Sequence, residues 1–142
     1  MAIIGVLASV VLASLNSAKK KGDDTVVKSN LRTVANQAGL FYSDNDSYLP
    51  AGGSTFSIAA CPVYNAAGTN MLSKNKVVAD SIAEAIYRGN GSSCYNSANI
   101  WTVAVGLKLT ANTSWCVDVS GAARVVNSAP ASAINSSTFL CN

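Results

Sequence analysis

The sequence predicts an α+β protein in which one long N-terminal helix carries a small antiparallel sheet, the whole clipped by disulfides. Three observations carry this expectation. Residues 1–18, MAIIGVLASVVLASLNSA, hold no charged side chain and stop at Lys19-Lys20-Lys21. Beyond the lysines the apolar positions continue at Val27, Leu31, Val34, Ala38 and Phe41, spacings of four and three that mark one face of an α-helix. In the last third, Trp101, Val103, Val105 and Leu107 alternate with Thr102, Ala104, Gly106 and Lys108, the period of a strand with one buried face.

Bulk properties narrow the class. A length of 142 residues suits one domain with an extension. A charged fraction of only 12% with a mean hydropathy of +0.27 excludes a disordered chain and indicates burial both internally and against partners. Three of the ten basic residues sit together at 19–21, so the rest of a chain of net charge +3 is nearly neutral. No specific nucleic-acid partner is expected from such a balance.

The chain divides into an apolar assembly or membrane helix, residues 1–24, and a head, residues 25–142. A helix that is apolar all round must be surrounded by lipid or by protein. Residues 1–18 rise about 27 Å, short of the roughly twenty residues of a bilayer span. They also lack the basic start of a secretory signal, and Asn16-Ser17-Ala18 is a poor cleavage site. The lysine run would hold the head in the cytoplasm by the positive-inside rule, whereas the cysteines place it outside. Both conflicts vanish if a basic leader and further apolar residues precede Met1. Gly5, Ala8, Ser9, Ala13 and Ser14 permit close helix approach. Ile3, Ile4, Gly5, Val6, Leu7, Val10, Val11, Leu12 and Leu15 are therefore the candidate residues for packing against other copies of this helix. Lys19, Lys20 and Lys21 are expected to pair with Asp23 or Asp24 of a neighbouring copy. Gly22-Asp23-Asp24 is a place where the helix can loosen or bend, as is the stretch from Gly5 to Leu15, and a continuous helix is the equal alternative.

The head begins with the amphipathic half of the helix, residues 25–43, whose apolar stripe lies against the sheet while Lys28, Arg32 and Asn36 face away. The Asp/Asn/Ser cluster from Ser43 to Ser47 and then Pro50 end the helix. Asp44 and Asp46 lack the glycine and distant glutamate of a calcium-binding loop. Residues 44–98 read as a connecting insertion, with a short strand over 55–61 and a helix over 77–87 carried by Val78, Ile82 and Ile86. That helix stops at Gly89-Asn90-Gly91. Residues 99–142 hold the sheet and a C-terminal loop. Turns at 110–113 and 120–121 separate strands over 101–108, 114–119 and 123–126, an antiparallel meander.

Cys61, Cys94, Cys116 and Cys141 stand 33, 22 and 25 residues apart with no histidine in the chain. Zinc sites want close pairs, and a cysteine nucleophile wants a base. With a single glutamate, Glu84, and no Gly-rich phosphate loop, no catalytic residue, metal or cofactor is expected. Two disulfides in an exported domain are the natural use of these cysteines. Of the three possible connectivities, Cys61 with Cys94 and Cys116 with Cys141 is favoured, since each joins sequence neighbours and closes one loop. Matches to the N-x-[ST] pattern at Asn45, Asn90, Asn112 and Asn135 are what chance supplies in a chain this rich in Asn and Ser.

Residues 2–18 followed by lysines resemble the second half of the N-terminal helix of type IV pilins and pseudopilins. In that family a basic leader ends in Gly and continues Phe-Thr-Leu-Ile-Glu. Met1 stands where the family has Val or Ile, and the glycine, phenylalanine and glutamate have no counterpart here. The tyrosine, Asp-Asn, tyrosine and proline pattern of residues 42–50, the W-x-V-x-V-x-L strand, Trp115-Cys116-Val117-Asp118 and the terminal Cys141 are similar to the pilin head. The resemblance implies a structural subunit, the major pilin of an extracellular filament on a prokaryotic surface. Such a subunit is held in the inner membrane before assembly, is handled by pilus assembly machinery, and serves attachment, motility or DNA uptake. A pseudopilin of a type II secretion or competence machine is the alternative. Two cysteine pairs and a long polar insertion favour the exposed fibre.

Overall fold

The structure, a computed structural model, describes residues 2–142, with the side chains of Val11 and of residues 14–142. Helix α1 runs from Ala2 to Asn45 without a break at Gly22. It ends where Asp46 turns to a positive φ of 51°. The Asp46 N–H is donated to the Tyr42 carbonyl, and Asn45 Nδ2 to that of Phe41. There follow β1 (Phe56–Ala59), a single turn α2 (Met71–Lys74), α3 (Lys76–Arg88), β2 (Ser92–Asn96), β3 (Trp101–Gly106), β4 (Ser114–Asp118), β5 (Ala123–Val126) and a short α4 (Pro130–Ala133).

The five strands pair in sequence order, each antiparallel to the next. The layout is thus α+β and pilin-like: a long N-terminal helix whose C-terminal half packs on an antiparallel sheet, with two disulfides. Val27, Leu31, Val34 and Ala38 of α1 are fully buried, as the periodicity predicts. They share one core with Val78, Ile82 and Ala85 of α3, with Met71 and Leu72, and with Trp101, Val103, Val105, Trp115 and Val117 of the sheet. Helix α1 lies along α3 and over β4, and α3 touches β3. Asn75 starts α3 by accepting the Val78 N–H on its side chain, a local cap that satisfies one of the helix's orphan donors.

Two features differ from the expectation. The sheet begins earlier, because β1 and β2, inside the stretch read as an insertion, are strands of the same sheet as β3. Ser92-Ser93-Cys94-Tyr95-Asn96 shows no apolar alternation, so nothing in its composition announces a strand. It is recruited by its ladder with β3 and by the disulfide from Cys61 at the end of β1 to Cys94.

The second difference concerns β3, which is buried along its whole length rather than on alternate residues. Residues 127–142 fold back across the far face of the sheet. There Ala104, Cys116 and Tyr95 meet Val126, Ala133, Ile134 and Cys141 in a second core. The Tyr95 and Phe139 rings stack with centroids 4.1 Å apart, and Thr102 Oγ1 donates to the Phe139 carbonyl. The disulfide from Cys116 to Cys141 fastens this cover. The tail expected as a C-terminal loop is thus a layer of the fold.

Candidate functional site: the exposed helix and its junction with the head

Helix α1 changes character at residue 23. Residues 14–22 are all exposed. Val11 and Leu15, two of the candidate bundle residues, are 63% and 64% exposed. Both carry apolar surface to which no part of the head is applied. The side chains of Ile3, Ile4, Gly5, Val6, Leu7, Val10 and Leu12 lie outside the described residues, while their backbone belongs to α1. Among the described residues no helix is long and apolar enough to cross a membrane.

Burial starts abruptly at Asp23 and Asp24, 7% and 6% exposed. Asp24 grips the chain just after β3, its Oδ1 accepting the Lys108 N–H at 2.7 Å and its Oδ2 the Leu109 N–H at 3.1 Å. Two successive backbone donors on one carboxylate form charge-assisted hydrogen bonds, stronger than neutral ones. Asp23 faces cations: Lys108 Nζ at 3.4 Å and Arg88 Nη1 at 3.6 Å. Arg88 in turn gives its Nε–H to Glu84 at 2.9 Å. The Glu84 hydrogen bond, then its charge, with Asp23 adding to both, hold the Arg88 guanidinium above its ordinary range, so it stays charged.

Asp23 and Asp24, expected to meet the lysines of a neighbouring copy, already have partners within their own chain. Both carboxylates are engaged by partners more than sixty residues away in sequence. Lys19, Lys20 and Lys21 are exposed and have no ion-pair partner among the described residues. Lys28 departs from the expectation. Expected to face away, it is half-buried, and its Nζ lies 5.1 Å from the centroid of the Trp115 ring. The ammonium is drawn there by the ring's negative face, while Arg32 and Asn36 do remain exposed.

The other carboxylates sort cleanly. Asp80 pairs with Lys76 at 2.6 Å, and Glu84 is held by Arg88. Asp118, 2% exposed, accepts the Cys141 N–H on Oδ2 and the Ser120 N–H on Oδ1. Asp44 and Asp46 are exposed, and neither side chain has a hydrogen-bond or ion-pair partner among the described residues.

Both disulfides join the cysteines in the favoured pairing, Cys61 to Cys94 and Cys116 to Cys141. Among the described residues there is no enclosed cavity, and no group of three or more Cys, Asp or Glu side chains is placed to hold a metal. Comparison with protein-family models, with curated proteins and with solved structures finds no match.

Proposed function

We propose that this chain is the major structural subunit of an extracellular type IV pilus on a prokaryotic cell, built by packing α1 of many copies into a central bundle. The observation that carries the reading is the division of α1 at Asp23: the part after it is buried in its own head, while the described residues before it stand exposed, Val11 and Leu15 among them. Apolar surface left in water costs roughly 25 cal/mol per Å². A helix of this composition therefore favours either lipid or copies of itself. Before assembly the inner membrane supplies the first environment, and the pilus machinery transfers the subunit to the second. Each copy contacts the next through different faces, and such a contact, when it does not close, generates a fibre.

The role is assembly rather than chemistry, without a cofactor, and the fibre serves attachment, motility or DNA uptake. The two disulfides favour a durable exposed fibre over a pseudopilin confined to a short periplasmic piston. Immunogold electron microscopy of the producing cell decides between them. Long surface fibres that carry this chain are the expected result. An expressed chain found only in the cell envelope sinks the reading in favour of the pseudopilin.

A further inference from the structure

The lysine run at the base of the head is exposed and has no ion-pair partner among the described residues, and its own chain has already committed most of its carboxylates. The chain has seven acidic residues. Asp23 and Asp24 are taken by Arg88, Lys108 and Leu109, Asp80 by Lys76, Glu84 by Arg88, and Asp118 is buried against Cys141 and Ser120. Asp44 and Asp46, at the other end of α1, remain.

We propose that Lys20 and Lys21 of one copy pair with Asp44 and Asp46 of a second copy, displaced along the helix axis by about 35 Å. This rests on the filament reading and gives that filament its register. Asp44 lies 23 residues beyond Lys21 in one unbroken helix, a rise of about 35 Å at 1.5 Å per residue. The azimuth agrees. At about 100° per residue Asp44 stands about 140° round the helix from Lys21 and about 240° from Lys20, so the two lysines straddle the side opposite Asp44. Two parallel copies related by a displacement meet through opposite sides of the same helix, which is the arrangement these charges require. Leu40, one turn before Asp44 and 58% exposed, adds apolar contact beside the acids. Opposite charges brought together this way select one register against others that would set like charges side by side.

The test uses wild-type fibres and charge reversal in the producing cell. A zero-length carbodiimide reagent, which couples amines to carboxylates, is applied to intact fibres, and the cross-linked peptides are read by mass spectrometry. An isopeptide between Lys20 or Lys21 and Asp44 or Asp46 of different copies is expected. In parallel, K20E/K21E and D44K/D46K each lower fibre yield about tenfold or more, and the four changes together restore it to within about twofold. All four side chains are exposed, and fibre yield is scored against subunit present in the cell, since a lysine at the positive φ of Asp46 strains the turn. Fibres that form normally from either charge-reversed pair, or a fourfold variant that is no better than the pairs, overturn the register while leaving the filament standing. Absence of fibres from the wild-type chain overturns both. If K20E/K21E instead depletes the membrane-held pool of subunit and D44K/D46K changes nothing, the lysines meet phospholipid headgroups and the pairing is wrong.

Discussion

Asp24 Oδ1 accepts the backbone N–H of Lys108 at 2.7 Å, across 84 positions of chain. With the Leu109 N–H on its other oxygen, this carboxylate docks the point where α1 enters the head onto the end of β3. Hydrogen bonds to a charged group contribute roughly 1.5–3 kcal/mol. Asp24→Ala is therefore expected to destabilise the head by about 2–3 kcal/mol in chemical denaturation of the detergent-solubilised full chain. Asp23→Ala, whose cationic partners are 43% and 35% exposed, costs under about 1 kcal/mol. Equal losses would show that the backbone clasp is not the stronger tie.

Two leucines on the same helix are expected to separate folding from the proposed assembly. Leu31 is fully buried and Leu40 is 58% exposed. Leu31→Ala removes core contacts at a cost of about 2–5 kcal/mol. Leu40→Ala leaves the melting transition within about 0.5 kcal/mol of the wild type and lowers fibre yield. A variant of Leu40 that melts early but assembles normally refutes this division of labour.

The two disulfides are expected to differ in consequence although their loops, separations of 33 and 25 residues, are similar. Restricting the unfolded chain is worth about 3–4 kcal/mol for either. Replacing Cys116 and Cys141 by Ser also frees the segment that covers Ala104 and Tyr95, so it costs more than the same change at Cys61 and Cys94. Hydrogen exchange of the amides of β3 reads the difference, since only loss of the second disulfide opens that face to water.

Glycine 22 and glycine 106 respond in opposite directions to alanine. Gly22 lies inside α1 with nothing within 4 Å of where a Cβ would stand, so Gly22→Ala raises helix stability by about 0.5–1 kcal/mol. At Gly106 the new methyl runs into the backbone carbonyl of Asn90, which forces β3 away from the chain that leads into β2. Thermal melting of the two variants should move up and down respectively.

The sequence is legible where burial follows a period. Val27, Leu31, Val34 and Ala38 recur at helical spacing because one continuous element buries one face. Trp101, Val103 and Val105 alternate because one side of β3 meets the helices. It fell short where partners come from far away. Ser92 to Asn96 looks like loop, yet β2 is an inner strand. Its Asn96 Nδ2 satisfies itself on the Tyr48 and Ser97 carbonyls, bonds invisible until the chain is folded. Small Thr102 and Ala104 on β3 read as a solvent-facing side, when in fact they lie under the returning C-terminal segment, Thr102 donating to the Phe139 carbonyl and Ala104 packing with Ala133, Ile134 and Cys141. The intrachain partners of Asp23 and Asp24 are hidden for a related reason. A carboxylate pair beside three lysines reads as local surface charge, and no spacing rule connects it with Arg88 or with the amides of Lys108 and Leu109. The pairing of the cysteines was legible because short loops between neighbours coincide here with adjacent strands and their cover.

A mechanical consequence follows from the way Asp24 and the two disulfides are arranged. Tension drawn along the exposed part of α1 enters the head at Asp23 and Asp24 and passes at once into the chain after β3. Should the head yield, the links from Cys61 to Cys94 and from Cys116 to Cys141 keep 33 and 25 residue separations out of the stretch, about 190 Å of fully extended chain. A chain pulled along α1 thus lengthens far less than its sequence allows while both clips stay closed.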